Sequence, residues 1–213
     1  MGEHMRPSAD GCGALEAVCA ELAANGTFAA RHIISSRYPH APVEAAARRY
    51  SDAQKLAVFR RDGFIDRYTG QRLVNPGVLR LIHVLLPDVF PFHPNWKMTE
   101  THIAFWELLP TIDHVIPVTR GGADDESNWV TTSMRTNRAK DMWTLAELGW
   151  DLHPKGDISV WDGLTGWFVK YLTDNPLPGA DTNSQYVRSW FKVSRCDSAF
   201  APNSANPVVN QQL

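Results

Sequence analysis

Cysteine is scarce in this 213-residue chain: Cys12, Cys19 and Cys196 are odd in number and form no Cys-x-x-Cys pair. This pattern excludes a zinc ribbon and a dense disulfide framework, because both need paired or closely spaced cysteines. It is typical of a protein kept in a reducing compartment. We therefore expect a cytoplasmic protein whose fold depends on its own hydrophobic core.

Long apolar runs are also missing. The run from residue 79 to residue 86 is interrupted by Arg80 and His83 and stops at Pro87, well short of the ~20 residues that cross a bilayer. The N-terminus has no charged region followed by an apolar core, so no secretory signal is expected. With 44% hydrophobic and 21% charged residues, the composition is that of an ordinary globular protein without a membrane partner.

Net charge is small, at −2, but its distribution is uneven. Residues 31–80 carry ten Lys and Arg against four Asp and Glu, whereas residues 1–30 and 81–213 are both net acidic. A basic region of this kind is the electrostatic footprint expected of a DNA-binding protein. Helix faces that carry solvated arginines remain the alternative interpretation.

The most informative stretch runs from Thr111 to Asp141. An alternating apolar run stops at Pro117, a Gly-Gly pair marks a turn, a second apolar run follows Asn128, and residues from Ser133 onward favour a helix. The pattern predicts strand, loop, strand and helix.

Four polar residues in this stretch are not required by a purely structural unit: Asp113, His114, Asn128 and Asn137. The carboxylate of Asp113 and the amide oxygen of Asn137 form a hard, incomplete ligand set. Such a set suits Mg²⁺, which keeps several waters and takes further ligands from phosphate. Neighbouring residues of a strand point to opposite faces, which leaves His114 free to act as a base.

With these residues identified, the stretch resembles the HNH (ββα-metal) endonuclease family. The family pattern is Asp or His followed by His, an Asn 14 residues later, and His or Asn nine residues after that. His114, Asn128 and Asn137 keep both spacings. The final Asn followed by Arg-Ala-Lys is especially similar to the HNH domain of RNA-guided CRISPR nucleases, and the proline and the Gly-Gly loop are also family features.

The resemblance implies an α+β fold, a mostly helical domain around a ββα-metal (HNH) core. Many HNH proteins brace this core with zinc held by Cys-x-x-Cys pairs. Here Tyr68 and Thr69 stand about where cysteines would be expected. A hydrophobic brace is therefore expected instead, walled by Trp129, Trp143 and Trp150.

The resemblance also implies the activity, a metal-dependent endonuclease that hydrolyses DNA to 5′-phosphate and 3′-hydroxyl ends. Asp113 and Asn137 would hold Mg²⁺, Mn²⁺ or another divalent cation, and His114 would take a proton from the attacking water. Asn128 would tie down the loop after His114. Candidate phosphate contacts are Arg138, Lys140 and, more weakly, Arg135 on the last helix, with Arg60 and Arg61 at the end of an earlier one. For all five, a merely solvated or helix-terminal position remains the alternative.

The rest of the chain is predicted to be helical. We expect helices over residues 14–24, 27–36, 51–62, 78–86, 99–109, 143–150 and 185–196, with a hairpin over 64–73. Leu15 and Leu22 recur at helical spacing in the first helix. The residues expected to face the core in the later helices are Phe28, Ile33, Ile34, Ile103, Trp106, Leu109, Val160, Leu164, Trp167, Phe168, Tyr171, Tyr186, Trp190 and Val193. His83, His93 and His102 could each add a metal or phosphate contact, although a lone histidine is more often structural.

These elements suggest a domain organisation. It consists of a helical N-terminal extension (1–50), a nuclease core (51–150) with an insertion at about 74–109, a helical C-terminal extension (151–198) and a loose tail (199–213).

Two classes of function remain open. One is a nuclease, of the restriction or phage-defence, homing or secreted-toxin type, and the first of these is preferred. The other is a catalytically inactive DNA-binding or protein-interaction module on the same fold. A homodimer is compatible with the nuclease, because double-strand cutting by a one-site enzyme generally asks for two subunits.

Overall fold

A computed structural model describes residues 10–40, 49–177 and 179–196. The fold is α+β, about 51% helical with a two-stranded antiparallel sheet. The chain divides into two compact units, Met1–Arg48 with Thr119–Gly121, and Arg49–Val118 with Gly122–Leu213. The tail predicted at 199–213 lies outside the described residues. No helix in the part that the structure describes is long and apolar enough to cross a membrane.

The first unit contains two antiparallel helices, α1 (Gly11–Ala24) and α2 (Thr27–Arg37). Both lie where the sequence predicts them. The prediction that Phe28 faces inward is wrong, because it is 88% exposed, whereas Ile33 and Ile34 are partly buried. Leu15 and Leu22 of α1 are also exposed. The buried apolar residues described in this unit are alanines, Ala14 and Ala30, because small side chains allow the two helices to approach closely.

The second unit begins with α3 (Asp52–Arg61), which is capped by a reciprocal pair of hydrogen bonds between Ser51 and Gln54. It continues with α4 (Pro76–Leu85), which starts with proline at a position where the missing N–H costs nothing. The hairpin predicted over 64–73 reduces to one antiparallel bridge between Ile65 and Arg72.

The insertion at 74–109 packs into the core of this unit. The helix predicted over 99–109 is broken into a 3-10 turn (Met98–Glu100) and a short α5 (Ala104–Glu107). Ile103, expected inside, is 51% exposed, whereas Trp106 is buried. Among the core residues that the insertion supplies are Val74, Val78, Leu79, Leu81, Phe105 and Leu109.

The two strands of the sheet pair with each other and are followed by a helix. β1 (Pro110–His114) pairs antiparallel with β2 (Trp129–Ser133), and His114 stands opposite Trp129. The helix α6 (Met134–Lys140) follows β2 directly, with Ser133 as its N-cap. As predicted, a short α7 (Leu145–Leu148) begins after a Thr144 cap and ends at Gly149.

The segment expected as a separate C-terminal extension belongs to the same compact unit. Its helices α8 (Thr165–Asp174) and α9 (Thr182–Arg195) add Phe168, Leu172, Val187 and Trp190 to the central core. Val160, Leu164 and Trp167 were expected inside but are exposed. Helix α8 instead buries the face that carries Thr165, Phe168, Val169 and Leu172.

Candidate active site

The end of strand β1 places Asp113 and His114 side by side in the chain but in different surroundings. Both are largely buried, with exposed fractions of 9% and 7%. The carboxylate of Asp113 meets Tyr68 and Lys140, whereas the imidazole of His114 meets residues of the loop and of β2. The alternation of the strand thus separates a carboxylate from a neighbouring base.

Asp113 is held through one of its two carboxylate oxygens. Its Oδ2 accepts a 2.7 Å hydrogen bond from the Tyr68 hydroxyl and lies 3.0 Å from the ammonium of Lys140. Burial first, and the charge of Asp113 second, raise the pKa of Tyr68, so that its hydroxyl stays protonated and donates. Among the described residues, none donates a hydrogen bond to Oδ1 of Asp113.

Lys140 is fully buried and does not face solvent. Besides the ion pair with Asp113, its ammonium donates a 2.8 Å hydrogen bond to the carbonyl of His114. Lys140 thus ties the Asp113 carboxylate to the backbone that follows His114, which differs from the exposed phosphate contact predicted for it.

Asn137 lies across from the same strand. Its Nδ2 donates to the Thr111 hydroxyl at 3.0 Å and to the Ile112 carbonyl at 3.3 Å. This leaves the amide oxygen of Asn137 without a donor among the described residues.

The oxygen atoms of Asp113 and Asn137 allow a test of whether a cation fits here. A carboxylate oxygen and an amide oxygen, neither of which has a hydrogen-bond donor within the described part of the chain, are carried by β1 and by the helix bonded to it. Hard divalent cations accept such a pair and complete their shell with water and phosphate. The described part of the chain has no group of three or more His, Cys, Asp or Glu that could hold a metal. The donor set therefore fits a cation of the Mg²⁺ type that is only partly held by the protein.

The imidazole of His114 lies in a small polar cluster. Its Nε2 is 2.8 Å from Oδ1 of Asp124 and 3.1 Å from the indole Nε1 of Trp129. The Tyr50 hydroxyl donates to the same Asp124 oxygen at 2.6 Å and lies 3.4 Å from Nε2. The hydrogen bond from Tyr50, followed by that from His114, lowers the pKa of Asp124 to about 2.

Asn128 closes the loop that follows His114. Its side-chain oxygen accepts from the Ile116 amide at 2.9 Å, and its Nδ2 donates to the carbonyls of Ile116 and Ala123 at 2.8 Å each. This is the arrangement that the resemblance implied. Gly122 makes it sterically feasible, because a Cβ there would lie 1.9 Å from the Ile116 carbonyl oxygen.

The brace beneath the site combines buried carboxylates with part of the expected tryptophan packing. Asp66 is fully buried and accepts hydrogen bonds from the Tyr68 and Ser133 amides and from the Thr132 hydroxyl, at 3.0 to 3.1 Å. Of the three expected tryptophans, Trp129 is buried and Trp150 packs on Tyr68 with ring centroids 5.8 Å apart, whereas Trp143 is 46% exposed. Carboxylates complement this packing because β2 offers amide and hydroxyl donors that need acceptors.

A second fully buried carboxylate, Asp62, completes this brace. It accepts from the Thr131 amide at 2.8 Å and is paired with Arg61 at 3.0 Å and Arg67 at 3.3 Å. Arg61 also donates to the carbonyls of Glu126 and Trp129. Arg61 therefore holds the loop and β2 rather than extending toward solvent, unlike the predicted phosphate contact.

The other predicted phosphate contacts differ in exposure. Arg138 is exposed and stacks over the ring of Trp106 at 4.7 Å. Arg135 is exposed and pairs with Glu107 at 2.7 Å. Arg60 is half-buried on α3. The exposed face of α6 thus presents two arginines, Arg138 and Arg135.

The histidines of the insertion have local partners. The ring of His83 lies 3.1 Å from the Phe90 carbonyl, and His102 stacks on Phe90 at 4.3 Å and accepts from the Ala104 amide. His93 accepts from the Asn95 amide and lies 3.6 Å from Glu100. None of these contacts involves Asp113 or His114.

Sequence reasoning missed Tyr50, Asp124 and the hydrogen bond made by Tyr68. Asp124 is one of three consecutive acids, which in the sequence alone indicate only local negative charge. Its position ten residues after His114, within the loop that Asn128 closes, was the available signal. Tyr50 lies 64 residues before His114 and gave no local signal.

Comparisons with protein-family models, with curated proteins and with solved structures each returned no match.

Proposed function

We propose that this chain is a metal-dependent HNH endonuclease that hydrolyses DNA phosphodiester bonds, with β1, β2 and α6 as its ββα core. One observation carries the proposal. The end of β1 bears a buried carboxylate and a buried imidazole with separate partners, while Asn137 bonds to that strand and Asn128 closes the following loop. This combination of groups provides a base beside an oxygen-rich cation site.

His114 is the general base in this proposal. A proton passes from the attacking water to its imidazole while the water oxygen bonds to phosphorus and the bond from phosphorus to the 3′ oxygen breaks. One product ends in a 5′-phosphate, and the other in a 3′ oxygen that takes up a proton to become a hydroxyl. Lys140 and Asn128 support the step by fixing the backbone that follows His114, at its carbonyl and at the Ile116 amide.

Asp113 and Asn137 would hold Mg²⁺ or Mn²⁺ through Oδ1 of the carboxylate and the amide oxygen. The cation, when bound, supplies positive charge that stabilises the charge growing on the phosphate oxygens. Tyr68 and Lys140 hold the other oxygen of Asp113 and so orient the carboxylate.

DNA is the proposed substrate, and Arg138 and Arg135 are the proposed phosphate contacts. Both lie on the exposed face of α6, the helix that carries Asn137. A guanidinium there can pair with a backbone phosphate without entering the site. A cytoplasmic role in restriction or phage defence, and a homodimer for double-strand cutting, are further parts of the proposal.

One observation favours the inactive module as a second candidate. The buried ammonium of Lys140 already pairs with Asp113, and a neighbouring positive charge weakens the binding of a divalent cation to the same carboxylate. A DNA-binding or protein-interaction module would keep this ion pair permanently.

Plasmid cleavage tests the proposal. Wild-type protein with Mg²⁺ should nick or linearise supercoiled DNA, and EDTA should prevent it. His114→Ala should lose activity by about 10²- to 10⁴-fold while binding Mn²⁺ normally in calorimetry. Asp113→Asn should lose Mn²⁺ binding as well. His153→Ala, which replaces an exposed histidine, is the matched control and should cleave normally.

The outcomes separate the two candidates. Cleavage by His114→Ala at the wild-type rate would show that the base is assigned wrongly. A wild-type protein that neither cleaves DNA nor binds Mn²⁺ would favour the inactive module. Sequencing and ligation of the cut ends should show a 5′-phosphate and a 3′-hydroxyl.

A further inference from the structure

The contacts of the His114 ring determine which nitrogen carries a proton. Nε2 lies 2.8 Å from Oδ1 of Asp124, and two acceptor atoms do not approach so closely unless a hydrogen lies between them. Nε2 is therefore the donor. The Trp129 N–H lies 3.1 Å from both atoms, and because a protonated Nε2 has no lone pair to offer, the carboxylate is its acceptor. Among the described residues, none forms a hydrogen bond with Nδ1 of His114.

The carboxylate of Asp124 is itself held in place. Oδ1 of Asp124 receives the Tyr50 hydroxyl at 2.6 Å and the Trp129 N–H at 3.1 Å, in addition to His114. Tyr50 and Trp129 also contact each other edge to face, with ring centroids 4.8 Å apart. Although its side chain is 38% exposed, Asp124 thus has three donors that fix the oxygen facing the imidazole.

We propose that Asp124 is the positioning residue for His114: its carboxylate holds the proton on Nε2 and leaves Nδ1 as the nitrogen that accepts the proton of the attacking water. The proposal rests on the proposed nuclease function. A carboxylate behind an imidazole fixes the tautomer and the ring orientation, and it stabilises the imidazolium that forms after proton transfer.

The exposed loop that carries Asp124 then has a role in catalysis. The acidic residues of this loop repel DNA through their charge, yet Asp124 orients the His114 imidazole. Glu126 of the same loop provides the comparison, since its carbonyl is bonded to Arg61 and its carboxylate has no part in the cluster around His114.

The test combines spectroscopy with kinetics on the full-length protein. Nitrogen NMR of ¹⁵N-histidine-labelled protein, with the imidazole neutral, should show His114 protonated on Nε2. Asp124→Asn should shift the proton to Nδ1, because the new amide can donate to Nε2. The same variant should lose kcat by about 10- to 100-fold with little change in KM for DNA. Glu126→Gln, the matched loss of charge, should change neither the tautomer nor kcat.

Two results would overturn the positioning role. One is a wild-type His114 protonated on Nδ1. The other is an Asp124→Asn protein whose kcat is unchanged or higher, since the carboxylate would then be idle or would block the base. The nuclease proposal fails separately. If the wild type shows the Nε2 proton and Asp124→Asn shifts it, but neither protein cleaves DNA, the orienting contact stands and the nuclease function is wrong.

Discussion

Tyr68 links the brace to the candidate site. Its backbone amide donates to Asp66, and its hydroxyl donates to Asp113, which lies on the neighbouring strand β1. Tyr68 therefore connects the buried carboxylate of Asp66 to Asp113, the proposed metal ligand. A phenylalanine would keep the ring but would remove the donor.

The titration of Tyr68 provides a prediction at this scale. Burial and the charge of Asp113 raise the pKa of Tyr68 above its usual value. The hydrogen bond is therefore fully present below the ordinary tyrosine pKa and is lost only as the pH rises through the raised value. Wild type and Tyr68→Phe should show the same tyrosinate absorbance step near pH 10, about where ordinary tyrosines ionise.

Circular dichroism at the same pH provides the control that both proteins are folded. A smaller absorbance step in Tyr68→Phe would show that Tyr68 ionises with the exposed tyrosines, and that the bond to Asp113 is weaker than the structure indicates.

At the scale of the element, the loop between β1 and β2 is the part most dependent on close contacts. Asn128 bridges both ends of the loop segment through Ile116 and Ala123. The close approach occurs at Gly122, whose amide also donates to the Pro117 carbonyl at 3.1 Å. The loop conformation that places Asp124 beside His114 needs this glycine.

Gly122→Ala should disturb this loop. The added carbon would lie 1.9 Å from the Ile116 carbonyl oxygen and 2.7 Å from Nδ2 of Asn128, so the backbone must move. We expect a loss of about 1–3 kcal/mol in the free energy of unfolding, measured by urea denaturation, together with reduced DNA cleavage. Gly11→Ala is the control, because its added carbon meets Tyr38 at an ordinary 3.4 Å. Equal stability of the two variants would contradict the close contact.

At the scale of the whole molecule, the larger unit has one core to which distant parts of the sequence contribute. Phe59, Phe105, Phe168 and Trp190 belong to the same buried cluster, although they come from segments expected to be core, insertion and extension. Helix α9 packs on α3 and α4. The candidate site therefore rests on a framework that includes the C-terminal helices.

Two tryptophans test this view. Trp190→Ala should lower the free energy of unfolding by about 3–5 kcal/mol, because the ring is 1% exposed and stacks near Phe59. Trp167→Ala, whose ring is 47% exposed, should cost much less. Urea denaturation followed by circular dichroism compares them. Similar losses for both variants would show that α9 does not share the central core.

Local signals predicted the elements well and the packing poorly. The caps of α3 and α7 and the order of β1, β2 and α6 could be recognised because each depends on neighbours within a few residues. The inward faces of α1 and α2 could not, since their burial depends on which side chains their partner leaves room for. Leu15 and Phe28 are apolar at helical spacing and are nonetheless exposed.

The candidate site, like the fold, was predicted only where its features depend on residues close in sequence. The spacing of His114, Asn128 and Asn137 was visible in the sequence, and the resemblance based on it implied the loop role of Asn128. The partners of those residues come from far along the chain, as with Tyr68, 45 residues before Asp113. In the sequence, Asp62 and Asp66 cannot be told from surface acids. Their burial is explained only by the backbone amides that donate hydrogen bonds to them.

The carboxylate brace has a consequence for how the protein meets oxidative stress. Thiolates that hold a structural zinc are oxidised by peroxide and then release the metal, whereas the carboxylates of Asp62 and Asp66 are inert to the same reagent. The three cysteines are exposed and unpaired, so peroxide would modify them without reaching the bonds that hold β2. A cell under oxidative attack, or short of zinc, would keep this scaffold intact.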